Sequence, residues 1–137
     1  MAYESFDGIG KISGDLKSYP DAIFTAEALP NNTSTLSDAF LLGQTNAGCE
    51  IKVVCETATT VAAGGVLVEL QTSATSGGTY VTQVAKTVPA GAIVAGDFLA
   101  GLILPKEIND QMYAKVNLTT TATQATGKVD AYIVRVP

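Results

Sequence analysis

The sequence contains no histidine and no tryptophan. Histidine is the commonest general acid or base near neutral pH and the commonest metal ligand in proteins. Its absence excludes Ser-His-Asp and Cys-His catalytic arrangements, and also zinc or iron sites built on imidazole. Chemistry based on a carboxylate pair or on lysine is not excluded by this argument. We expect the chain to be no enzyme and to bind neither a metal nor an organic cofactor.

Charged residues are scarce, at 15% of the chain, and 8 basic residues stand against 13 acidic ones. The net charge of −5 disfavours a nucleic-acid partner, because proteins that neutralise phosphates carry clusters of Lys and Arg. No uninterrupted apolar run reaches the roughly 18 residues that a transmembrane helix needs, so we expect no membrane partner. Residues 1–7 lack the basic and apolar regions of a secretory signal, so we expect no secretion by that route.

Cysteine is limited to Cys49 and Cys55. The segment between them is rich in β-branched residues and predicts a strand, on which residues six apart share a face but lie about 20 Å apart. A disulfide needs Cα atoms within about 7 Å, so the two cysteines cannot pair while the strand persists. We predict that they are small core residues beside Ile51 and Val53; a disulfide between subunits is the alternative.

What the chain does contain is enough for one β-domain. It has 137 residues, and 47% of them are hydrophobic, which suffices for a single core. Runs with strand character recur between clusters of Gly, Pro, Asn and Asp. The alternation of Ala114, Val116 and Leu118 with polar neighbours is typical of an antiparallel sheet with one dry face. The pattern predicts an all-β fold, a two-sheet antiparallel sandwich or jelly roll, with strands near 22–28, 35–42, 49–57, 66–71, 80–85, 92–94, 98–104, 112–119 and 128–136.

Two segments of this predicted domain stand out. Phe98–Leu104 is apolar on both faces, which indicates either a central strand or part of a subunit contact, and Gly101 inside it suggests a bulge or a close backbone approach. The Thr-rich segment 119–126 is predicted to be a polar hairpin connection. A sugar-stacking platform of Tyr80, Tyr113 and Tyr132 is disfavoured, because each tyrosine falls on a different predicted strand.

Residues 1–20 differ from the predicted domain at 21–137. Gly8, Gly10 and Gly14 interrupt any regular element there, yet apolar residues still recur about every third position. We consider two interpretations: a lead-in packed on its own sandwich, or an N-terminal arm whose apolar side chains dock on a neighbouring subunit or partner. The candidate partner-contact residues of this arm are Tyr3, Phe6, Ile9, Ile12 and Leu16.

Three stretches of the predicted domain carry a resemblance to a known family. They are the strand at 66–73 with the loop at 77–80, the segment 91–105 that ends in Leu104-Pro105, and the strands at 113–118 and 127–136. In order and composition they resemble the small jelly-roll capsid cement, or decoration, proteins of tailed bacteriophages. The lead-in of twenty residues is longer than in the smallest members of that family.

The resemblance implies a structural virion protein rather than a catalyst. Its members bind the outer surface of the expanded phage head and bridge subunits of the major capsid protein, so this localisation and this partner are expected here. Placement on a symmetry axis implies a homodimer or homotrimer. The alternatives are a phage tail or head-completion subunit, a receptor- or sugar-binding sandwich, and a jelly-roll enzyme of the cupin kind, which the lack of histidine disfavours.

Overall fold

The computed structural model describes residues 22–42, 49–104 and 113–135. The predicted arm, with Tyr3, Phe6, Ile9, Ile12 and Leu16, lies outside the described residues. Within these ranges the chain forms strands and no helix, so the predicted all-β class is confirmed. The strands are β1 (Ala22–Ala28), β2 (Ser34–Leu36), β3 (Phe40–Leu41), β4 (Cys49–Thr57), β5 (Thr59–Val61), β6 (Val66–Ser73), β7 (Val81–Val88), β8 (Gly91–Ile93), β9 (Phe98–Leu104), β10 (Tyr113–Thr119) and β11 (Lys128–Arg135).

Two antiparallel sheets make up the sandwich. Sheet A has the strand order β1-β11-β4-β9, and sheet B has the order β2-β10-β6-β7, with β3 also paired to β10. A separate ribbon joins β5 to β8. We count β2 and β3 as one interrupted strand and set the ribbon aside. Successive strands then cross from one sheet to the other, except that β6 and β7 are neighbours in sheet B, and this is the order of a jelly roll. The predicted sandwich is therefore present in the described residues.

The core lies between the inner faces of the two sheets. On β10, Ala114, Val116 and Leu118 are fully buried, as their alternation predicts. On β4, Ile51 and Val53 are buried with them. The void that the core side chains leave between the sheets has a volume of only about 10 Å³ and an apolar lining. Such a space is no larger than a single water and holds no organic ligand.

The prediction for Cys55 is confirmed: its side chain is 2% exposed and its thiol is free. Cys49 begins the same unbroken strand, which keeps the two residues well apart along β4. The side chain of Cys49 lies outside the described part of the structure. The strand geometry that excludes a disulfide between them is thus present.

The single strand predicted at 35–42 is wrong, because the chain leaves the ladder at Ser37. The Ser37 hydroxyl accepts the main-chain N–H of Val116 at 2.9 Å, and the Ser37 N–H donates to the Val116 carbonyl at 2.9 Å. A side-chain oxygen thus takes the place of a main-chain acceptor, which divides the segment into β2 and β3. Both remain paired to β10 on either side of this point.

The Thr-rich connection is also different from its prediction. It joins β10 in sheet B to β11 in sheet A, so it crosses between sheets and is not a hairpin. The Thr120 hydroxyl donates to the Pro30 carbonyl at 2.6 Å and accepts the Asn32 N–H at 3.0 Å. These buried bonds fix the start of the connection against the turn that follows β1.

Candidate interaction surface

The strand β9 lies at the edge of sheet A, where it pairs with β4 alone among the described strands. The sequence left a central strand and a subunit contact as alternatives for this segment, and among the described strands it is not central. An edge strand presents unpaired main-chain N–H and C=O groups along one side. From Phe98 to Leu104 the strand itself carries no charged or polar side chain, but the Glu50 carboxylate of β4 lies over Gly101.

A bulge determines which β9 side chains face outward. Along β4 the register advances by one residue from Val53 to Val54, whereas along β9 it moves two residues, from Ala100 to Phe98. The extra residue, Leu99, packs against the core, and Phe98 is turned to the outer face, where it is 60% exposed. Classic bulges insert one residue in this way and redirect a neighbouring side chain.

The ends of two side chains occupy the space above Gly101, which has no side chain of its own. A Cβ atom at Gly101 would come within 3.0 Å of Phe98 Cζ and would also collide with the carboxylate of Glu50. The sequence predicted a bulge or a close backbone approach at Gly101; the bulge lies at Leu99 instead, and the groups that approach Gly101 are side chains. Phe98, Gly101 and Ile103 form the outward row of β9, and with the free strand edge they are called the β9 surface here; Ile103 is 64% exposed.

The other sheet edges carry protective features that residues 100–104 of β9 lack. In sheet A, β1 has two register shifts and a positive φ of 48° at Ala26. In sheet B, the edge opposite β7 is made of the short strands β2 and β3. On β7 the exposed Lys86 provides a charge. Bulges, short strands and charged side chains are the usual means by which proteins block pairing at an edge.

The outer face of sheet B is polar and internally hydrogen-bonded. The carboxylate of Glu69 accepts hydrogen bonds from Asn117 Nδ2 at 3.1 Å and from the Thr82 hydroxyl at 3.2 Å. The Lys115 ammonium lies 4.6 Å from the centre of the Tyr80 ring. This face is suited to contact with water. The tyrosines do not form a platform, because β11 carries Tyr132 in the opposite sheet.

A groove adjoins the N-terminal end of β9. Its volume is about 270 Å³, and it is lined by residues 88–93 together with Asp97, Phe98 and Leu99. The turn beside it is well fixed, because Asp97 Oδ2 accepts the Val94 N–H at 2.9 Å. The exposed side chain of Val94, at 58%, extends the apolar surface beyond Phe98.

Cys55 is a buried titratable group close to the turn that precedes β9. Burial raises the pKa of the Cys55 thiol, and the negative charges of Asp97 and Glu56 raise it further. The thiol is therefore protonated at neutral pH and is a poor nucleophile. Over residues 22–42, 49–104 and 113–135, no three Cys, Asp or Glu side chains come together in a group suited to a metal ion. The same ranges hold no helix long and apolar enough to cross a membrane.

Comparison with known proteins adds no family to this description. No family model matches the chain, and no curated protein matches it. The β9 surface is therefore the basis on which a function is inferred below.

Proposed function

We propose that this chain is a structural virion protein, a capsid cement protein that binds the outer surface of the expanded head of a tailed bacteriophage and bridges subunits of the major capsid protein. The observation that carries the proposal is a strand of apolar residues, with Phe98 and Ile103 exposed, at a sheet edge of a well-packed jelly-roll domain. Such a domain is suited to adhesion between proteins. The order of strands and loops in the sequence, which resembles the cement proteins, supplies the capsid as the partner.

The physical task of a cement protein fits this architecture. A molecule that binds the assembled lattice, but not its separated subunits, stabilises the lattice by mass action. Bridging two subunits makes the second contact intramolecular, so that modest individual contacts combine into durable binding. A rigid sandwich loses little conformational entropy when it binds, because its loops are already ordered. The tight core and the hydrogen-bonded connections of the described residues support such rigidity.

The proposal is tested by the number of copies of this chain in purified virions, measured by quantitative mass spectrometry against the major capsid protein. We expect a simple integer ratio between the two proteins, since a cement protein covers the lattice. A few copies for each virion would instead indicate a tail or head-completion subunit. Absence from the virion would contradict a structural virion role and favour the receptor- or sugar-binding alternative.

The contribution of the N-terminal arm is tested separately on expanded heads that lack this chain. Deleting residues 1–18 should leave the β-domain folded and lower its occupancy on the heads. A full-length control replaces only the five apolar arm residues, Tyr3, Phe6, Ile9, Ile12 and Leu16, with serine, and should lower occupancy to a similar extent. Full occupancy by both variants would show that the capsid contact lies in the β-domain.

A further inference from the structure

We propose that two copies of this chain associate through the free edges of β9, antiparallel and around a two-fold axis at Leu102. The two four-stranded A sheets then become one continuous sheet across the pair. This inference concerns self-association and does not depend on the proposed capsid function. It begins from the β9 surface, which lacks the protective features of the other sheet edges and leaves Phe98 and Ile103 more than half exposed.

The bulge limits which part of β9 can pair. Residues 98–100 deviate from the ladder, whereas residues 100–104 follow a regular register with β4. A two-fold axis at Leu102 uses only this regular part: it pairs Ala100 with Leu104 of the second copy, and Gly101 with Ile103 of the second copy. Gly101 has no side chain, and the Phe98 ring and the Glu50 carboxylate lie over it; the incoming Ile103 packs beside that ring and moves the flexible end of the Glu50 side chain aside. Each dimer then buries two such Phe–Ile contacts.

Charge on β4 favours the same register. Glu50 pairs with Ile103, and Lys52 pairs with Gly101, within one copy. With the axis at Leu102, Glu50 of one copy and Lys52 of the other fall in the same cross-strand row. An axis at Gly101 would instead place the Lys52 residues of both copies in one row. An axis at Ile103 would place the two Glu50 residues in one row, so both of these registers bring like charges together. The backbone positions of these two residues are about three strand spacings apart, roughly 14 Å, so at physiological salt their interaction is largely screened and favours this register only slightly.

The expected association is weak and reversible. Five residues from each copy form a short interface, and small interfaces are typical of transient complexes. Main-chain hydrogen bonds between the edges supply much of the affinity, as in other cases of strand addition, while the Phe98 and Ile103 side chains provide specificity. The dimer should accordingly appear as the concentration of the protein rises.

Sedimentation equilibrium of the full chain over a range of concentrations is the first test, and we expect a monomer–dimer equilibrium. Ile103→Glu places a carboxylate of each copy beside Glu50 in the contact and should raise the dissociation constant at least about tenfold. Val81→Glu is the matched control, because Val81 is 56% exposed on β7, another long edge strand among the described strands; it should leave association unchanged. A mixture of Ile103→Lys and Ile103→Glu should recover a dimer, which guards against a folding defect in either variant.

Amide hydrogen exchange locates the interface. The N–H groups of residues 100–104 that point away from β4 should exchange at least about tenfold more slowly at dimer-forming concentrations than in dilute solution. The full-length variant with five arm residues changed to serine should still dimerise. The proposal is overturned by a monomer at every concentration, by a trimer, or by equal effects of Ile103→Glu and Val81→Glu. Failure of the charge-swapped mixture to associate, or loss of the dimer in the arm variant, also overturns it.

Discussion

Gln124 Oε1 accepts a hydrogen bond from the main-chain N–H of Ala62 at 2.8 Å, joining the connection between β10 and β11 to the turn after β5. The same side chain donates through Nε2 to the carbonyls of Thr60 at 3.1 Å and Thr126 at 3.0 Å. Gln124 is only 4% exposed. Both ends of one buried amide therefore hold the sheet-crossing connection against the β5–β8 ribbon.

Replacing this amide should destabilise the domain. Gln124→Ala leaves the Ala62 N–H and two carbonyls without their partner, and we expect a loss of about 2–3 kcal/mol in the free energy of unfolding. Urea denaturation measures this change. The matched control is Thr123→Ala, next to it but exposed, which should stay within about 0.5 kcal/mol of the parent. Equal stability of the two variants would show that water replaces the amide.

Ser37 provides a second test, at the point where β2 and β3 separate. Ser37→Ala removes the acceptor of the buried Val116 N–H, and we expect a loss of about 1–2 kcal/mol. Ser34→Ala is the comparison, because the Ser34 side chain is exposed and its hydroxyl forms a surface hydrogen bond with the Thr119 hydroxyl. Thermal unfolding of both variants checks the difference. If Ser37→Ala matches the parent, the hydroxyl is not what stabilises the interruption.

Much of the fold could be predicted because most strands are marked locally. The bounds of β1, β4 and β9 agree with the sequence prediction, since apolar, β-branched runs there stand between clear turn residues. The strand β5 was missed because Thr59–Val61 is short and its pairing depends on β8, about thirty residues further on. The division at Ser37 arises from one hydroxyl group, and the alternation of apolar and polar residues gives no sign of it.

The site was predicted less well, because it depends on order between distant strands. The apolar character of Phe98–Leu104 is visible in the sequence, but its edge position follows only from the pairing of β4 with β9 and β11. The bulge at Leu99 is likewise hidden, since Phe98, Leu99 and Ala100 are all apolar and any of them could face the core. The five arm residues lie outside the described part of the chain, and their role stays a prediction.

The turn into β6 should tolerate no side chain at Gly65. Its φ is +73°, and a Cβ there would collide with the main-chain carbonyl oxygen of Val88. Gly65→Ala therefore combines backbone strain with a clash that no side-chain movement relieves, and we expect a loss of at least about 2 kcal/mol. Gly77→Ala is the control, because nothing lies within 4 Å of the added atom. Chemical denaturation of both variants measures the contrast; equal midpoints would contradict it.

Cys55 should make the stability of the domain fall at alkaline pH. Burial raises its pKa above the ordinary value of 9.0, and the charges of Asp97 and Glu56 act in the same direction. Between the unfolded and folded pKa values the unfolded chain has lost the thiol proton while the folded chain retains it. The unfolded state then binds fewer protons, so stability is constant below about pH 9 and decreases as the pH rises above it, by at most about 1.4 kcal/mol for each pH unit.

Cys55→Ala removes this contribution. The unfolding free energy of parent and variant is measured from pH 7 to pH 10.5. Above pH 9 the parent should lose stability relative to the variant. A difference between them that does not change with pH would show that the folded thiol ionises as readily as the unfolded one.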